Sequence, residues 1–243
     1  MDKLTVYYQN VCGLNDPKKC KGFLENVKKN DYDVICLTET FLQDPFTETL
    51  FDDRYEVFRG DRRKKEKRGG VLIAVKKTLN PKEEKGWRHQ ESLVEDTWVT
   101  ITKDENKVHL YCVYISSRRI DAERQSHQEE VSNTLKTYKM HSGKIIITGD
   151  FNEPHIKWTN EGNPSDLKAS GRSRTLLSVL IEPNKLKQSC DIPNAKNRTL
   201  DLVLSNTDLI TSKPAEPLVT EPDHHAAILI KFRSNNQHIT SKL

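Results

Sequence analysis

The chain has 243 residues, of which 35% are hydrophobic and 30% charged, and its formal net charge at pH 7 is +4. This composition supports a packed core beneath a heavily charged surface, and the length allows one large α/β domain or two small ones. No apolar run approaches the length needed to cross a membrane. The small positive excess is compatible with a polyanionic partner.

Cysteine usage limits the structural class further. The five cysteines form no CxxC pair; they are Cys12, Cys20, Cys36, Cys112 and Cys190. Their odd number and spacing indicate neither a disulfide framework nor a zinc site, and favour a reducing compartment, cytosol or nucleus. The start of the chain, MDKLTVYY, lacks the basic region and apolar run of a signal peptide.

The first half of the chain alternates between strand and helix patterns. Asn15 or Asp16 can cap a helix that has Pro17 in its first turn. The predicted strands cover 4–11, 33–37, 55–60 and 71–75, and the helix covers 17–30.

A basic stretch separates two of these strands. Residues 59–68 contain seven basic and two acidic side chains. Such a stretch is commonly a solvated loop, but beside a phosphate site it would also bind a nucleic-acid backbone. A nuclear-localisation signal is a third interpretation.

The second half continues the alternation and closes the domain. Strands are predicted at 94–102, 107–115, 144–148, 199–204 and 226–232, with a turn at 104–106 and helices at 121–141 and 174–181. Several strands follow one another directly, which favours two mixed β-sheets packed face to face with helices on the outer faces. We therefore predict one α/β domain over residues 1–233, followed by a polar tail or linker at 234–243.

The stretch KIIITGDFNEP, residues 144–154, carries the strongest functional pattern. Its β-branched residues indicate a buried strand that ends at Gly149. Asp150 and Asn152 alternate around Phe151, so both can face one pocket, and Pro154 closes the turn. A carboxylate and an amide at the carboxyl end of a strand suit a metal-bound phosphate. An Asx-type turn without function is the simpler alternative.

Further polar residues occupy predicted strand ends: Asn10, Glu39, Tyr114, Asp201 and the pair Asp223-His224. Singly, each is more commonly an exposed strand-end group. Asp201 is more informative, because an acid within the apolar run LDLVL would be costly to bury without a partner.

Together with their neighbours, these positions resemble a known family. The segments QNVCGL at 9–14, CLTET at 36–40, VY at 113–114, GDFN at 149–152, TLDLV at 199–203 and PDHH at 222–225 resemble, in order, the blocks of the endonuclease/exonuclease/phosphatase superfamily. Within it, the chain is most similar to the apurinic-type endonuclease domain of non-LTR (LINE-type) retrotransposons, with the jockey-like branch as one candidate.

The resemblance implies a four-layer α/β sandwich and a specific reaction. It implies Mg²⁺-dependent nicking of double-stranded DNA, with Mn²⁺ as an alternative metal, to leave a 3′-hydroxyl that primes reverse transcription. A reverse transcriptase would follow in the same polyprotein, and the enzyme would act on chromosomal DNA in the nucleus after synthesis in the cytoplasm. Neither a membrane nor a small-molecule cofactor is expected.

The resemblance also assigns roles near the metal and the attacking water. It implies that Glu39 is a metal ligand, with Asn10 beside it, since a hard cation prefers oxygen ligands. Asp223 would act at the metal or just behind its ligands. Asp150 would orient or deprotonate the attacking water, and Asn152 would position Asp150 or the phosphate.

A second group of roles concerns the scissile phosphate. His224 would hydrogen-bond a phosphate oxygen, and Asp201 would hold the His224 ring in one tautomer. Tyr114 would contact the phosphate. The expected contacts to the DNA backbone are all basic: Arg62, Arg63, Lys64, Lys65, Arg118, Arg119, Arg172 and Arg174.

Two departures from the family pattern and three alternatives accompany this assignment. Cys12 occupies the place of an Asp in the repair enzymes, which argues against a repair function, and Pro222 occupies the place of a Ser. The alternatives are an apurinic/apyrimidinic repair endonuclease, a phosphatase of the same superfamily and a nucleic-acid-binding domain that no longer cleaves.

Overall fold

The computed structural model describes residues 4–42, 51–62, 68–88, 92–103, 106–159 and 171–232. The strands, in chain order, are β1 Thr5–Asn10, β2 Val34–Thr38, β3 Tyr55–Gly60, β4 Val71–Lys76, β5 Pro81–Glu83, β6 Glu95–Lys103, β7 Asn106–Tyr114, β8 Lys144–Asp150, β9 Lys187–Gln188, β10 Asp201–Ser205, β11 Leu209–Ser212 and β12 Ile228–Phe232. The α-helices are α1 Pro17–Lys29, α2 Asp121–Thr137 and the short α3 Arg172–Thr175, which continues as a π-helix over Leu176–Ile181; short 3-10 helices cover Lys77–Leu79, Lys85–Trp87 and Met140–Ser142.

The strands form two six-stranded mixed sheets. The first has the order β11-β12-β1-β2-β4-β3, and the second has the order β5-β6-β7-β8-β10-β9. The predicted α/β sandwich, with two mixed sheets packed face to face and helices outside, is confirmed. Among the described residues no helix is long and apolar enough to span a membrane.

Three apolar clusters separate the four layers. The central cluster lies between the sheets and includes Val6, Ile73 and Leu110. A second packs the outer face of the second sheet against α2 and the π-helix, through residues such as Leu135. A third packs the first sheet against α1 through residues such as Phe23. Both faces of each sheet are therefore buried, which explains the nearly continuous apolar runs of the central strands.

The helix boundaries follow from local chemistry. Asp16 caps α1 by accepting the Lys19 backbone N–H at 2.7 Å, and Pro17 stands at the first position, as the sequence predicts. The predicted helix over 121–141 ends earlier, at Thr137, because Lys139 adopts a left-handed backbone with φ of 49°. The predicted turn residues 104 and 105 and the tail at 234–243 lie outside the described residues.

Strand direction sets the position of the polar side chains. β1 runs parallel to β2, and β7 runs parallel to β8, so the carboxyl ends of each pair lie together. These strand ends form the carboxyl edge of each sheet. β10 is antiparallel to β8, and Asp201 at its start lies opposite Asp150 at the end of β8. β12 is antiparallel to β1, so its first residue also lies toward that edge. The predicted strand-end residues are thereby brought to one side of the molecule.

Candidate active site

Two carboxylates lie at the centre of this edge. Asp150 is fully buried at the end of β8, and Glu39 follows β2 with a left-handed backbone, φ 51°. The Asn10 side-chain amide donates to Glu39 Oε1 at 3.0 Å and to Asp150 Oδ2 at 3.1 Å. Asn10 Oδ1 accepts the Cys12 backbone N–H at 3.0 Å. Asn10 therefore links the two sheets by orienting both carboxylates.

A histidine–aspartate pair approaches the carboxylates from the other side. His225 Nδ1 lies 2.8 Å from Asp201 Oδ2, and His225 Nε2 lies 3.7 Å from Asp150 Oδ2. The Tyr8 hydroxyl donates to Asp201 Oδ1 at 2.6 Å and lies 3.0 Å from the Thr38 hydroxyl. Each Asp201 oxygen therefore has a partner, which satisfies the buried acid that the sequence places in an apolar strand.

The predicted pairing of Asp201 with His224 is wrong, since the structure places His225 on Asp201. His224 is exposed; its backbone carbonyl accepts from the Asn194 side chain at 2.9 Å, and its ring lies 3.5 Å from Lys196 Nζ. Asp223 is also exposed, and it stands apart from the group of possible metal ligands. The reason is the turn at 222–225, after which only the second histidine points between the sheets.

The pKa values at the site reflect its crowded charges. Burial and the nearby Asp201 and Glu39 raise the pKa of Asp150 well above its ordinary value, while His225 opposes this. Burial alone would lower the pKa of His225, but the carboxylates of Asp201, Asp150 and Glu39 raise it to about 9. At neutral pH His225 is therefore protonated, and both ring nitrogens can donate hydrogen bonds.

Tyr114 and Asn152 complete the site. Tyr114 lies opposite Asp150 in the parallel pairing of β7 and β8, and burial followed by Glu39 and Asp150 raises its pKa. Its hydroxyl is therefore a hydrogen-bond donor at neutral pH. The Asn152 backbone N–H donates to Asp150 Oδ1 at 3.0 Å, and its side chain donates to the Ile115 carbonyl at 3.0 Å. The backbone of Asn152 therefore holds Asp150 in place, while its side chain ties this loop to the one that follows β7.

The donor set fits a hard divalent cation. Glu39, Asp150 and His225 each bring one polar atom within 4.8 Å of the other two. Protonated His225 has no free lone pair for a metal, so the ligands of this group are the carboxylates of Glu39 and Asp150. Two carboxylates in such proximity repel each other, and carboxylate oxygens are the ligands that Mg²⁺ and Mn²⁺ prefer. Glu39 is the ligand predicted from the sequence, its predicted neighbour Asn10 donates to it, and Asp223 is not in this group.

The predicted DNA-binding residues fall into different environments. Arg118 and Arg174 are exposed, and Arg119 is half-buried. Arg62 is mostly buried, donates from Nη2 to Glu95 Oε2 at 3.1 Å and stacks on Tyr114, with 5.6 Å from its guanidinium carbon to the ring centroid. Arg63, Lys64 and Lys65 lie outside the described residues, and for Arg172 only the backbone is described, in α3.

Sequence reasoning missed two members of the site, His225 and Tyr8. The signal for His225 is its place in PDHH, but alternation counted back from the buried Ile228 would favour His224 instead. Tyr8 carries no comparable signal, since within an apolar strand it resembles an ordinary core residue.

Comparison with known proteins agrees with this geometry. The sequence model of the endonuclease/exonuclease/phosphatase family matches residues 8–230. The chain belongs to this family. Its members hydrolyse phosphate esters, typically with a divalent metal. No curated protein sequence matches the chain.

Solved structures of family members share the fold at low sequence identity. The endonuclease domain of TRAS1, a telomere-specific non-LTR retrotransposon, is 16% identical, with a TM-score of 0.65 over 95% of this chain and 98% of that one. The AP endonuclease LMAP from Leishmania major is 15% identical, with a TM-score of 0.64 over 96% and 88%. D. rerio TDP2 complexed with a single-strand DNA product is 13% identical, with a TM-score of 0.61 over 96% and 100%.

Proposed function

We propose that this domain is a metal-dependent DNA endonuclease that nicks one strand and leaves a 3′-hydroxyl for target-primed reverse transcription. The observation that carries the proposal is the position of Asp150, between Glu39 on one side and the His225–Asp201 pair on the other. A base, a cationic donor and an acidic cluster thus surround one point, which is the arrangement that phosphodiester hydrolysis requires.

Glu39 and Asp150, with His225 close by, would hold the cation, which when bound supplies charge neutralisation at the phosphate. Asp150 orients the attacking water or takes its proton, as the water oxygen bonds to phosphorus and the bond from phosphorus to the 3′-oxygen breaks. Protonated His225 donates to a phosphate oxygen through Nε2 while Asp201 holds Nδ1. Tyr114 donates a further hydrogen bond to the same phosphate.

One observation favours a retrotransposon endonuclease over a repair enzyme of the same family. Cys12 is exposed at the rim of the site, at the place where the repair enzymes carry an acid. A reverse transcriptase following in the same polyprotein, double-stranded chromosomal DNA as substrate and action in the nucleus are parts of this proposal.

Nicking of supercoiled plasmid tests the proposal, and adjacent histidines supply a matched pair of variants. We expect wild type with Mg²⁺ to produce open circles and EDTA to abolish them. His225→Ala and Asp150→Asn should each lose at least about 10²-fold in rate. His224→Ala should stay within about threefold of wild type, since its ring is exposed and does not contact Asp201. Equal losses in both histidine variants would contradict the assignment.

The product and the preferred substrate separate the family activities. A nick with a free 3′-hydroxyl should be extended by a DNA polymerase without prior phosphatase treatment. Intact duplex should be cut at least as well as an oligonucleotide with one abasic site. Strong preference for the abasic duplex would establish a repair enzyme instead, and release of inorganic phosphate alone would establish a phosphatase.

A further inference from the structure

A buried ion pair lies behind the site, and none of the roles above uses it. Arg124 of α2 and Glu153, just beyond β8, are each 2% exposed, and Arg124 Nη1 lies 2.9 Å from Glu153 Oε1. The Ser173 hydroxyl donates to the other Glu153 oxygen at 3.3 Å. Fully buried arginines are uncommon, because moving the charge out of water is costly.

Arg124 also binds the backbone of two loops. Its Nη2 donates to the Ser116 carbonyl at 3.0 Å and its Nε to the Arg119 carbonyl at 3.3 Å, in the loop that follows β7. Its Nη1 donates to the Phe151 carbonyl at 3.0 Å, in the loop that follows β8. A planar guanidinium with five donors can span such a set, whereas an ammonium is a single point of charge.

These two loops hold the side chains of the proposed site. The Ile115 backbone N–H donates to the Asp150 carbonyl at 2.9 Å, and the Asn152 side chain donates to the Ile115 carbonyl. Tyr114 directly precedes the first loop, and Asp150 directly precedes the second. A change in the spacing of the loops would therefore move Tyr114, Asp150 and Asn152 relative to one another.

Stability alone gives little reason to keep such a pair. Apolar residues of similar volume frequently replace a buried ion pair without loss of stability, whereas removal of only one partner is strongly destabilising. The hydrogen bonds of Arg124 to both loops, by contrast, fix the geometry of the loops. We propose that Arg124 and Glu153 are positioning residues that set the distance between Tyr114 and Asp150, an inference that rests on the proposed function.

The test compares turnover with folding stability in two variants. Arg124→Met combined with Glu153→Met removes both charges. Arg124→Lys keeps the positive charge but loses the planar guanidinium that reaches both loops. Both are assayed on supercoiled plasmid and on bis(p-nitrophenyl) phosphate, a small diester that needs no DNA-binding surface. We expect kcat to fall about 10- to 100-fold on both substrates, since small misplacement at a reacting centre has effects of this size. KM for plasmid should change by less than about threefold.

A matched control separates positioning from general destabilisation. Asp33 accepts from Lys76 Nζ at 3.0 Å and from the Thr5 backbone N–H at 2.9 Å, at the opposite edge of the first sheet. Asp33→Asn should lower the melting temperature and leave kcat unchanged at an assay temperature well below melting. Wild-type kcat in the folded double variant would overturn the proposal, as would an equal fall of kcat in Asp33→Asn.

Two further measurements cover a double variant that does not fold and a wild type that does not cleave. If the double variant does not fold, kcat of Arg124→Lys decides, and a wild-type value overturns the proposal. If wild type itself cleaves neither substrate, the proposed function fails, and amide hydrogen exchange then tests the loops directly. Exchange at Ile115 and Asn152 should be at least about tenfold faster in Arg124→Lys than in wild type, and unchanged exchange would overturn the proposal.

Discussion

His225 is the residue whose charge depends most on its neighbours. Its Nδ1 is held by Asp201, and its Nε2 faces Asp150. The pKa of about 9 lies above the value of about 6.5 for an unfolded chain. Protonation of His225 therefore stabilises the metal-free fold below about pH 6.5, and this contribution disappears as the pH rises through about 9.

Removal of the Asp201 charge should lower the His225 pKa. In metal-free Asp201→Asn we expect the pKa to fall by at least about one unit, because a contacting carboxylate commonly raises it by that much. NMR titration of the imidazole signals measures the value. Asp208→Asn, an exposed acid that pairs with Lys187, is the control and should leave the pKa unchanged. An unshifted His225 in Asp201→Asn would contradict the observed contact.

The two adjacent histidines mark a limit of sequence reasoning. The segment PDHH contains two candidates, and residue type alone cannot decide between them. The choice depends on how the turn at 222–225 enters β12, which involves a hydrogen bond from the Ala227 N–H to Glu221 at 2.7 Å. The sequence therefore predicts a histidine as the partner of Asp201, which is correct, but assigns the wrong one of the two.

At the scale of elements, the close approach of β7 and β8 brings Tyr114 and Asp150 together. Gly149 lies opposite Val113 in this parallel pair, and a Cβ at Gly149 would collide with the Val113 carbonyl. Packing therefore requires a glycine immediately before Asp150. The strand predicted to end at Gly149 in fact continues through it to Asp150. The sequence shows Gly149, but it does not show that the Val113 carbonyl lies too close for a Cβ at this position.

The same substitution should have opposite effects at two glycines. Gly149→Ala should lose at least about 2 kcal/mol of unfolding free energy, because the strands must separate to admit the methyl group. Gly22→Ala, in α1 where a Cβ meets nothing within 4 Å, should gain about 0.5–1 kcal/mol. Urea denaturation measures both. A destabilised Gly22→Ala or a neutral Gly149→Ala would show that the packing differs from this description.

The long elements are predictable from the sequence, and the short ones are not. β1, β2, β7 and β8 contain runs rich in β-branched and aromatic residues, so their positions follow from the sequence to within one or two residues. β5, β9 and β11 have two to four residues and are outermost strands of their sheets, where little burial constrains the pattern. The ion pair of Arg62 with Glu95 joins residues 33 positions apart, and no local pattern indicates it.

For the whole molecule, the site is a consequence of topology. Each sheet contains one parallel pair, β1 with β2 and β7 with β8, and their carboxyl ends meet where the sheets face each other. The predicted strand ends therefore place Asn10, Glu39, Tyr114 and Asp150 at this edge without knowledge of the sheet order. Contacts across the sheets, such as Tyr8 with Asp201, require the three-dimensional structure.

Exposed arginines at this edge should govern the binding of DNA. Arg118 follows β7 and Arg174 lies in α3, and both are exposed, whereas Arg62 is engaged by Glu95 and Tyr114. The slope of log affinity against log salt should become shallower by up to about 0.9 for each phosphate that a variant no longer neutralises. Combined Arg118→Gln and Arg174→Gln should therefore reduce the slope measured by fluorescence anisotropy with a labelled duplex.

Lys107 provides the control, since it is exposed at the start of β7, on the opposite edge from the proposed site. Lys107→Gln removes one positive charge, and the slope should stay as in wild type if DNA binds only the edge with Asp150. If Lys107→Gln instead reduces the slope by half the reduction seen in the double arginine variant, net charge, and not this edge, attracts the DNA. A shallower slope in the arginine variant with an unchanged slope in Lys107→Gln would place the DNA across the carboxyl ends of β7 and β8. There the scissile phosphate can reach Asp150.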